Sequence, residues 1–576
     1  MRSVLNFGKD NVFLLDARKP LKATFNMIEF RCSYMLTNMS LGLFLDTMKV
    51  KNPKLKYNYN RDRYSWSRLT WLDYRYNGND VIGLYQALKK YIFEVNNDTI
   101  ITTPLTSTGY VRRDIKEVLK QEVNQEHLRR IQPSLELLEM LHDAFRGGDT
   151  HLNRHYYGEI LPIVNTRHKG KKPRIYCMDE KSEYPAVMMT CLFPWSQFNR
   201  LGHISVGNLE RKIKSNFAIL MKVAIYNVEL RNEFFGSPYL SFSKCRNVQN
   251  YILDNGRVLE ADYLETTITD VDYRIMKDIY KWNDNDFIIV DSWQSKYGKL
   301  PEGVRREIMT YFYNKEMLKH TSPDLYMKSK NKLNSIYGMT VLNPLKKSFM
   351  FDSEDNEYHE KIQDFEKIID DLIKNKFLPY QVGVWVTCWA RYRLHLGRSC
   401  LNSPLDFIYC DTDSIFFCDE TNLKNFDKLN EELKNIAIKN DAYFIDDNGE
   451  GHYLGVYELD KECTQFISLG AKKYCYRDAH DKKLHLTLAG VSKKGVKELK
   501  NQIRNFHEGF IFVNSAGLKA KYNDHVDEVV EIDGHKQRIT SNVYLEETTY
   551  EIGLTDDYEK CIQIAKKLLH EYESGL

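Results

Sequence analysis

The sequence holds no CxxC pair and no Cys/His spacing of the kind that binds zinc, although 11 of its 576 residues are cysteine. That excludes a zinc-stabilised module and reads as the reduced thiols of an intracellular protein. No segment reaches the roughly 18 apolar residues that a membrane span needs. The opening stretch, Met1 to Asp10, has no apolar signal-peptide core. A cytoplasmic chain with no membrane partner is therefore expected. An excess of one charge is also missing. The formal net charge is +3, so the whole-molecule field makes no case for nucleic-acid binding, and any such case must be local. Internal repeats and low-complexity linkers are absent.

A chain of 576 residues exceeds what one hydrophobic core serves, and roughly two to four domains are expected. Apolar residues at 43% and charged residues at 28% are ordinary for a globular protein and give no sign of disorder. The 38 tyrosines suit apolar surfaces that also make hydrogen bonds. Two local basic runs stand out, Arg167 to Arg174 (RHKGKKPR) and the lysine-rich stretch Lys328 to Lys347. A short basic run reads equally well as a solvated loop.

Leu119, Val123, Leu128, Ile131, Leu135 and Leu138 stand at helical spacing and predict helix from about Asp114 to Phe145. Phe145-Arg-Gly-Gly148 breaks that pattern. An apolar run from Arg174 to Met178 leads into Asp179. Helical periodicity returns from Glu302 to Tyr337, with a turn at His320 to Asp324. An acidic stretch, Asp352 to Asp371, precedes the apolar Val382 to Ala390. The runs Phe407 to Cys410 and Ile415 to Cys418 flank Asp411-Thr412-Asp413-Ser414. Roughly the last hundred residues read as lysine-rich helix alternating with short strands. Strands and helices interleave without regular βαβ order, which predicts an α+β fold.

Aspartate is depleted in strands and costly to bury. Yet Asp411 and Asp413 sit between two strand-like runs, where residues two apart share a face or meet at a hairpin tip. Two such charges repel unless a cation lies between them or one is protonated. An ordinary Asp-rich turn has the same composition. Asp179 also follows a strand-like run, and a third carboxylate is what a two-metal site needs. Two Mg²⁺ ions roughly 4 Å apart can activate a 3′-hydroxyl and stabilise a leaving pyrophosphate, and Mg²⁺ favours a few carboxylates plus substrate phosphates.

Lys330 to Gly338 reads as a helix end closed by glycine. Lys330, Asn334 and Tyr337 lie at i, i+4 and i+7 and share a face. A cation, an amide and an aromatic ring in a row can meet phosphate, sugar and base. A solvated amphipathic face has the same pattern.

Taken together these residues resemble family B DNA polymerases. Asp179-Glu-Lys-Ser-Glu-Tyr-Pro185 is similar to the first palm motif, DxxSLYP. Lys330 to Gly338 is similar to KxxxNSxYG of the fingers, and Tyr409 to Ser414 to the second palm motif, YxDTDS. All three stand in the family order. Three further stretches resemble the protein-primed polymerases of phages and linear plasmids. Phe145-Arg-Gly-Gly resembles their YxGG template-binding turn. Gly383 to Arg391 resembles their strand-to-helix segment before the second palm motif. Lys472-Lys-Tyr474 resembles their KxY motif, which grips the primer end. The resemblance runs from about residue 70 to the C-terminus, with the thumb weakest.

The resemblance implies a right-hand polymerase fold with an antiparallel palm sheet, helical fingers and a thumb, plus a remnant of an RNase H-like exonuclease domain. By position it implies a partial exonuclease-like domain over 1–144 and a palm over 145–200 and 382–480. It implies a protein-primed-type insertion over 201–300, fingers over 301–345, a strand-displacement insertion over 346–381 and a thumb over 481–576. It implies that Asp179 and Asp413 bind two Mg²⁺ ions, for which Mn²⁺ substitutes, that the Glu180 backbone helps, and that Asp411 supports the site. Tyr184 then excludes a ribose 2′-hydroxyl, and Lys330 contacts the incoming triphosphate. Ser182, Asn334 and Tyr337 line the nucleotide. Gly147, Gly148, Ser335, Gly338, Thr412, Lys472 and Tyr474 contact DNA. The implied partners are a primer-template, dNTPs and a terminal protein offering a priming hydroxyl, in a bacterial host cytoplasm.

Two departures follow. Glu183 stands where the family has leucine, and burial at that position requires a partner such as Lys181. Tyr76-Asn-Gly-Asn-Asp80 matches the third exonuclease motif, YxxxD, but Asp16-Ala-Arg is not the DxE of the first, and Met27 to Leu43 resembles sequence that follows the second. The chain is therefore expected to begin inside that domain, to lack proofreading, and to leave Tyr76 and Asp80 as an orphan motif, with a separate exonuclease chain as one candidate partner. The alternative class is a catalytically inactive, polymerase-like nucleic-acid-binding protein. A metal-dependent nuclease would leave the Lys330 helix and Tyr184 unexplained.

Overall fold

A computed structural model describes residues 12–14, 20–58, 66–162, 174–233, 235–319, 321, 323–342, 349–351, 358–360, 366–368, 370, 374, 377–513, 515–523, 526–539 and 542–574. Asp16, nearly all of the basic run 167–174 and most of the acidic stretch 352–371 lie outside them. The chain forms two compact units, Met1–Val123 with Arg306–Phe377, and Asn124–Arg305 with Leu378–Leu576. No helix among the described residues is long and apolar enough to cross a membrane.

The first unit opens with a three-stranded antiparallel sheet, β1 (Val12–Leu14), β2 (Pro20–Phe25) and β3 (Ile28–Arg31), in that order. Helices α1 (Leu41–Met48), α2 (Trp71–Lys89) and α3 (Ser107–Glu122) follow. Thr70 and Asp73 close a capping box at the start of α2. Phe44, Leu45, Met48, Ala87, Tyr91 and Tyr110 form this unit's core cluster. Two later helices, α7 (Glu302–Leu318) and α8 (Pro323–Thr340), add to it, and α8 packs on α3. The expected helix end at Gly338 is displaced, since α8 runs on to Thr340. One glycine costs a helix only about 1 kcal/mol relative to alanine. Leu333, Ile336, Met339 and Thr340 carry a buried stripe past it.

The second unit holds two large antiparallel sheets beside several two-stranded ones. The expected helical stretch over 114–145 is divided among three helices, α3, Gln125–Arg130 and α4 (Leu135–Ala144). The side chains of Asn124 and Ser134 accept from backbone N–H groups and restart the chain as N-caps. One sheet comprises β4 (Thr150–Leu152), β5 (Ile175–Glu180), β10 (Phe407–Asp411), β11 (Ser414–Cys418), β12 (Tyr457–Ser468), β13 (Lys473–Asp478) and β14 (Leu484–Leu488). Its order is β14-β13-β12-β5-β11-β10-β4. The other spans β6 (Phe217–Leu230), β7 (Cys245–Asp254), β8 (Arg257–Thr269) and β9 (Phe287–Gly298), in the order β9-β6-β8-β7, with helix α6 (Asp270–Ile279).

Both faces of the first sheet are covered. Ile175, Cys177, Ile408, Tyr409 and Phe416 enter one core cluster, while Tyr176, Met178, Cys410, Ile415 and Phe417 enter another. This is why the site-bearing strands read as unbroken apolar runs rather than alternating ones. The expected strand-to-helix segment over 383–391 is helical throughout, inside α9 (Tyr380–Ser399). Its β-branched residues pack on nearly all sides of a buried helix, which periodicity does not distinguish from a strand. The lysine-rich part of the C-terminal region forms a single 3₁₀ turn, Lys493–Lys497, and the long helix there is α10 (Asp556–Ser574).

Candidate active site

Strand β5 and the β10–β11 hairpin place the three aspartates side by side. Asp179 pairs with Ser414, and Ser414 pairs with Asp411. These residues form one row on one face of the sheet. Asp413 occupies the turn. Its carbonyl accepts the Glu180 N–H at 2.8 Å, and its own N–H donates to the Asp411 carbonyl at 2.8 Å. Adjacent strands lie about 4.8 Å apart, so Asp179 and the hairpin tip are immediate neighbours although more than two hundred residues separate them.

The positions are held by unusual backbone. Ser182 and Thr412 have φ of 54° and 63°, left-handed values that cost a residue with a side chain roughly 1–2 kcal/mol. The Ser182 carbonyl accepts from Ala186 N–H at 2.9 Å, starting helix α5 (Glu183–Thr190). Thr412 N–H donates to the Asp149 carbonyl at 2.7 Å. Such strain persists only where surrounding structure over-determines it, and it concentrates at functional sites.

The turn Phe145–Gly148 is fixed from two sides. A Cβ on Gly148 would lie 2.7 Å from Thr412 Cγ2, so only glycine lets the turn approach the hairpin tip this closely. Arg391 Nη1 donates to the carbonyls of Arg146 (2.7 Å) and Gly147 (2.9 Å), and Nη2 donates to Asp272 Oδ1 at 2.8 Å. Asp149 is buried between Arg398 and Arg257, each at 2.8 Å. Those two cations outweigh its burial and hold its carboxyl at about 2.

Asp411 is partnered within the sheet. It accepts from Thr150 Oγ1 at 3.1 Å and forms an ion pair with Lys472. Lys472 N–H also donates to the Tyr409 hydroxyl at 2.9 Å. The Tyr474 ring is buried against Tyr409, Phe416 and Phe466.

Negative charge accumulates behind this row. The Glu180 side chain turns to the other face, where Arg393 Nε donates to it at 2.6 Å. Burial outweighs that arginine and pushes its carboxyl up to about 7. Glu183 is buried, and both its oxygens lack a hydrogen-bond partner. Burial first, then the charges of Glu180, Asp413 and Asp179, drive its carboxyl well above the usual range. The pairing expected of Lys181 does not occur, because Lys181 reaches Glu458 at 3.2 Å instead. Tyr184 is half-buried in the first turn of α5.

Asp179 and Asp413 both repel one buried carboxyl that Arg393 attracts without a hydrogen bond, and this donor set suits a hard divalent cation. Oxygen ligands at two carboxylates and a backbone carbonyl match what Mg²⁺ or Mn²⁺ takes.

In the first unit, Lys330 and Asn334 are exposed on α8 and Tyr337 is half-buried. Ser335 Oγ bonds the Lys332 carbonyl at 2.8 Å. A Cβ on Gly338 would meet open space. On α2, Asp80 is paired with Lys54 at 2.9 Å, and Lys54 also reaches the Tyr76 hydroxyl at 2.6 Å. Sequence reasoning missed Lys54, Asp149, Arg391, Arg393 and Arg398. The one available signal was three arginines within an otherwise apolar helix.

No protein-family model matches the chain, and no curated protein matches it in sequence. Its structure is similar to solved structures of Phi29 DNA polymerase. The ternary complex with primer-template DNA and incoming nucleotide substrates superposes with a TM-score of 0.68 at 18% identity, covering 96% of this chain and 87% of that one. The binary complex with primer-template DNA gives 0.65 at 17% identity, with coverage of 96% and 87%. The complex with single-stranded DNA gives 0.63 at 17% identity, again with 96% and 87%. The fold is thus α+β, with helices and antiparallel sheets arranged as in that polymerase.

Proposed function

We propose that the chain is a DNA-directed DNA polymerase of the protein-primed family B kind, extending a primer 3′-hydroxyl with deoxynucleotides. The observation that carries this reading is the juxtaposition of Asp179 with the Asp411–Asp413 hairpin beside a buried, unpartnered Glu183. The three motifs in family order and the fold likeness support it.

In this reading Asp179, Asp413 and the Glu180 carbonyl hold two Mg²⁺ ions. When bound, these supply charge neutralisation at the reacting phosphate. Asp411, already paired with Lys472 and hydrogen-bonded by Thr150, positions the hairpin rather than binding metal. Tyr184 occupies the space of a ribose 2′-hydroxyl. Ser182 sets the strained entry to α5. Lys330 meets the triphosphate as a point charge, and Asn334 and Tyr337 shape the nucleotide pocket. Gly147, Gly148, Ser335, Gly338, Thr412, Lys472 and Tyr474 serve the DNA. Template sequence is read by base pairing, so the protein supplies backbone contacts and positioning. The palm is assigned to 145–200 and 382–480, the fingers to 301–345 and the thumb to 481–576. A terminal protein providing the first hydroxyl, replication of a linear phage or plasmid genome, and a bacterial cytoplasm belong to the same proposal.

Primer extension with purified protein tests it. Template-dependent dNTP incorporation in Mg²⁺ or Mn²⁺ is expected, and Asp413→Ala should abolish it. A second reading, an inactive polymerase-like DNA-binding protein, draws on the buried Glu183. It predicts primer-template binding with no extension in either metal.

A further inference from the structure

The first unit encloses a cavity of about 470 Å³ between α8 and the segments carrying Asn38 and Ser107. Its α8 wall presents Lys328, Asn331, Lys332 and Ser335, which stand at i, i+3, i+4 and i+7 on one helical face. Asn334, which shares the face of Lys330 and Tyr337, also lines the cavity, at its edge toward that face.

The two lysines of the wall rest on aromatic rings rather than in ion pairs. Lys328 Nζ lies 4.4 Å from the centroid of the Tyr91 ring and donates to Asn96 Oδ1 at 3.3 Å. Lys332 Nζ lies 5.7 Å from the Tyr110 ring and 5.6 Å from the Tyr311 ring. Neither forms an ion pair with a carboxylate among the described residues. Asp114 and Glu307 attract Lys332 from nearby, but Asp114 is engaged by the Tyr311 hydroxyl at 2.8 Å. Burial lowers both ammonium groups, Lys328 to about 7, and the two repel each other.

Both lysines are half-buried, and a partly desolvated ammonium with no ion pair is costly, the more so when two stand one helical turn apart. Aromatic rings recover part of that cost by cation–π contact, but rings do not neutralise charge. The opposite wall supplies Asn38 and Ser107; the Asn38 amide donates to Ser107 Oγ at 3.0 Å, which leaves its second hydrogen and the Ser107 hydroxyl hydrogen as donors. The volume lies in the usual range of small-ligand sites and exceeds that of a bare ion.

We propose that this cavity is a phosphate-binding site, in which Lys328 and Lys332 jointly neutralise a nucleotide phosphate while Asn331, Ser335, Asn38 and Ser107 hold its oxygens. The phosphate comes either from a free nucleotide or from the backbone of a single strand. The site lies within one unit and does not depend on the acidic residues of the other, so it stands or falls apart from the polymerase reading.

Thermal unfolding of the full chain in EDTA tests it, with inorganic phosphate, dTMP and a 5′-hydroxyl thymidine hexamer as probes, each against chloride of equal ionic strength. Phosphate or dTMP should raise the midpoint of the wild type and of Lys330→Ala alike. The Lys328→Met/Lys332→Met variant should lose at least four-fifths of the shift. A response to dTMP without one to the hexamer assigns the site to free nucleotides, and the converse assigns it to a strand. An equal shift in the methionine variant, or none in the wild type with any probe, overturns the proposal. Should the double variant not fold, Lys328→Gln replaces it. At least half of the shift should then be lost, and an undiminished shift would refute the site.

Discussion

Glu183 is the residue on which the chemistry of the acidic row bears most directly. A carboxyl raised in the fold binds its proton more tightly there than in the unfolded chain. Stability should therefore fall as pH rises from the ordinary glutamate range through the folded value. Glu180, held at about 7, acts in the same direction. In EDTA, Glu183→Gln should flatten this slope. The variant should exceed the wild type at pH 8 by about 1–3 kcal/mol, the cost of a buried unsatisfied group, and the two should converge at pH 4. Urea unfolding across pH measures it, and parallel curves would remove the charge from the account. Tyr184 gives a second test at this scale. Tyr184→Val should admit ribonucleotides at least tenfold more readily in primer extension, and unchanged discrimination would reject the steric role.

Among the elements, the approach of the Phe145–Gly148 turn to the β10–β11 hairpin is the most sensitive contact. Gly148→Ala puts a methyl 2.7 Å from Thr412, so the tip must shift. A displacement of about 1 Å can cost on the order of a hundredfold in rate. Extension should drop by at least tenfold while the far-ultraviolet circular dichroism is retained. Arg391 secures the same turn from behind. Arg391→Leu leaves Asp272 buried without its partner and should destabilise by about 3–5 kcal/mol, seen as a lowered midpoint in chemical unfolding.

Much of this architecture was readable beforehand for a physical reason. A hairpin with two aspartates between apolar runs, and an aspartate closing another such run, are local patterns, and the ladder joins them. The Lys330 helix was readable for the same reason, apart from its end, where packing beyond Gly338 overrode a cap signal. Arg391, Arg393 and Arg398 were not readable as structural pins. Their partners Asp272, Glu180 and Asp149 stand more than a hundred residues away, and nothing local marks a charge as buried. Lys181, one candidate partner for Glu183, pairs instead with Glu458, a β12 neighbour distant in sequence. The family resemblance also placed a strand within the largely buried α9, where an apolar run carries no periodicity to correct it.

For the molecule as a whole, the first unit retains Tyr76 and Asp80 on α2, with Asp80 bound to Lys54. If the Lys54 ion pair keeps Asp80 from a metal, the pure chain should release no mononucleotides from single-stranded DNA in Mg²⁺, and robust release would overturn that expectation.

The thiols offer a different use. Cys177 stands two residues before Asp179, and Cys410 adjoins Asp411. Both are fully enclosed by the two core layers, and burial holds the Cys410 thiol at about 12. In native protein these sulfurs should be inert to maleimide. Each transient parting of the central strands would leave a covalent mark at a known position. A pulse of reagent followed by peptide mass spectrometry would then time the breathing of the strands that hold the aspartates, with no engineered reporter.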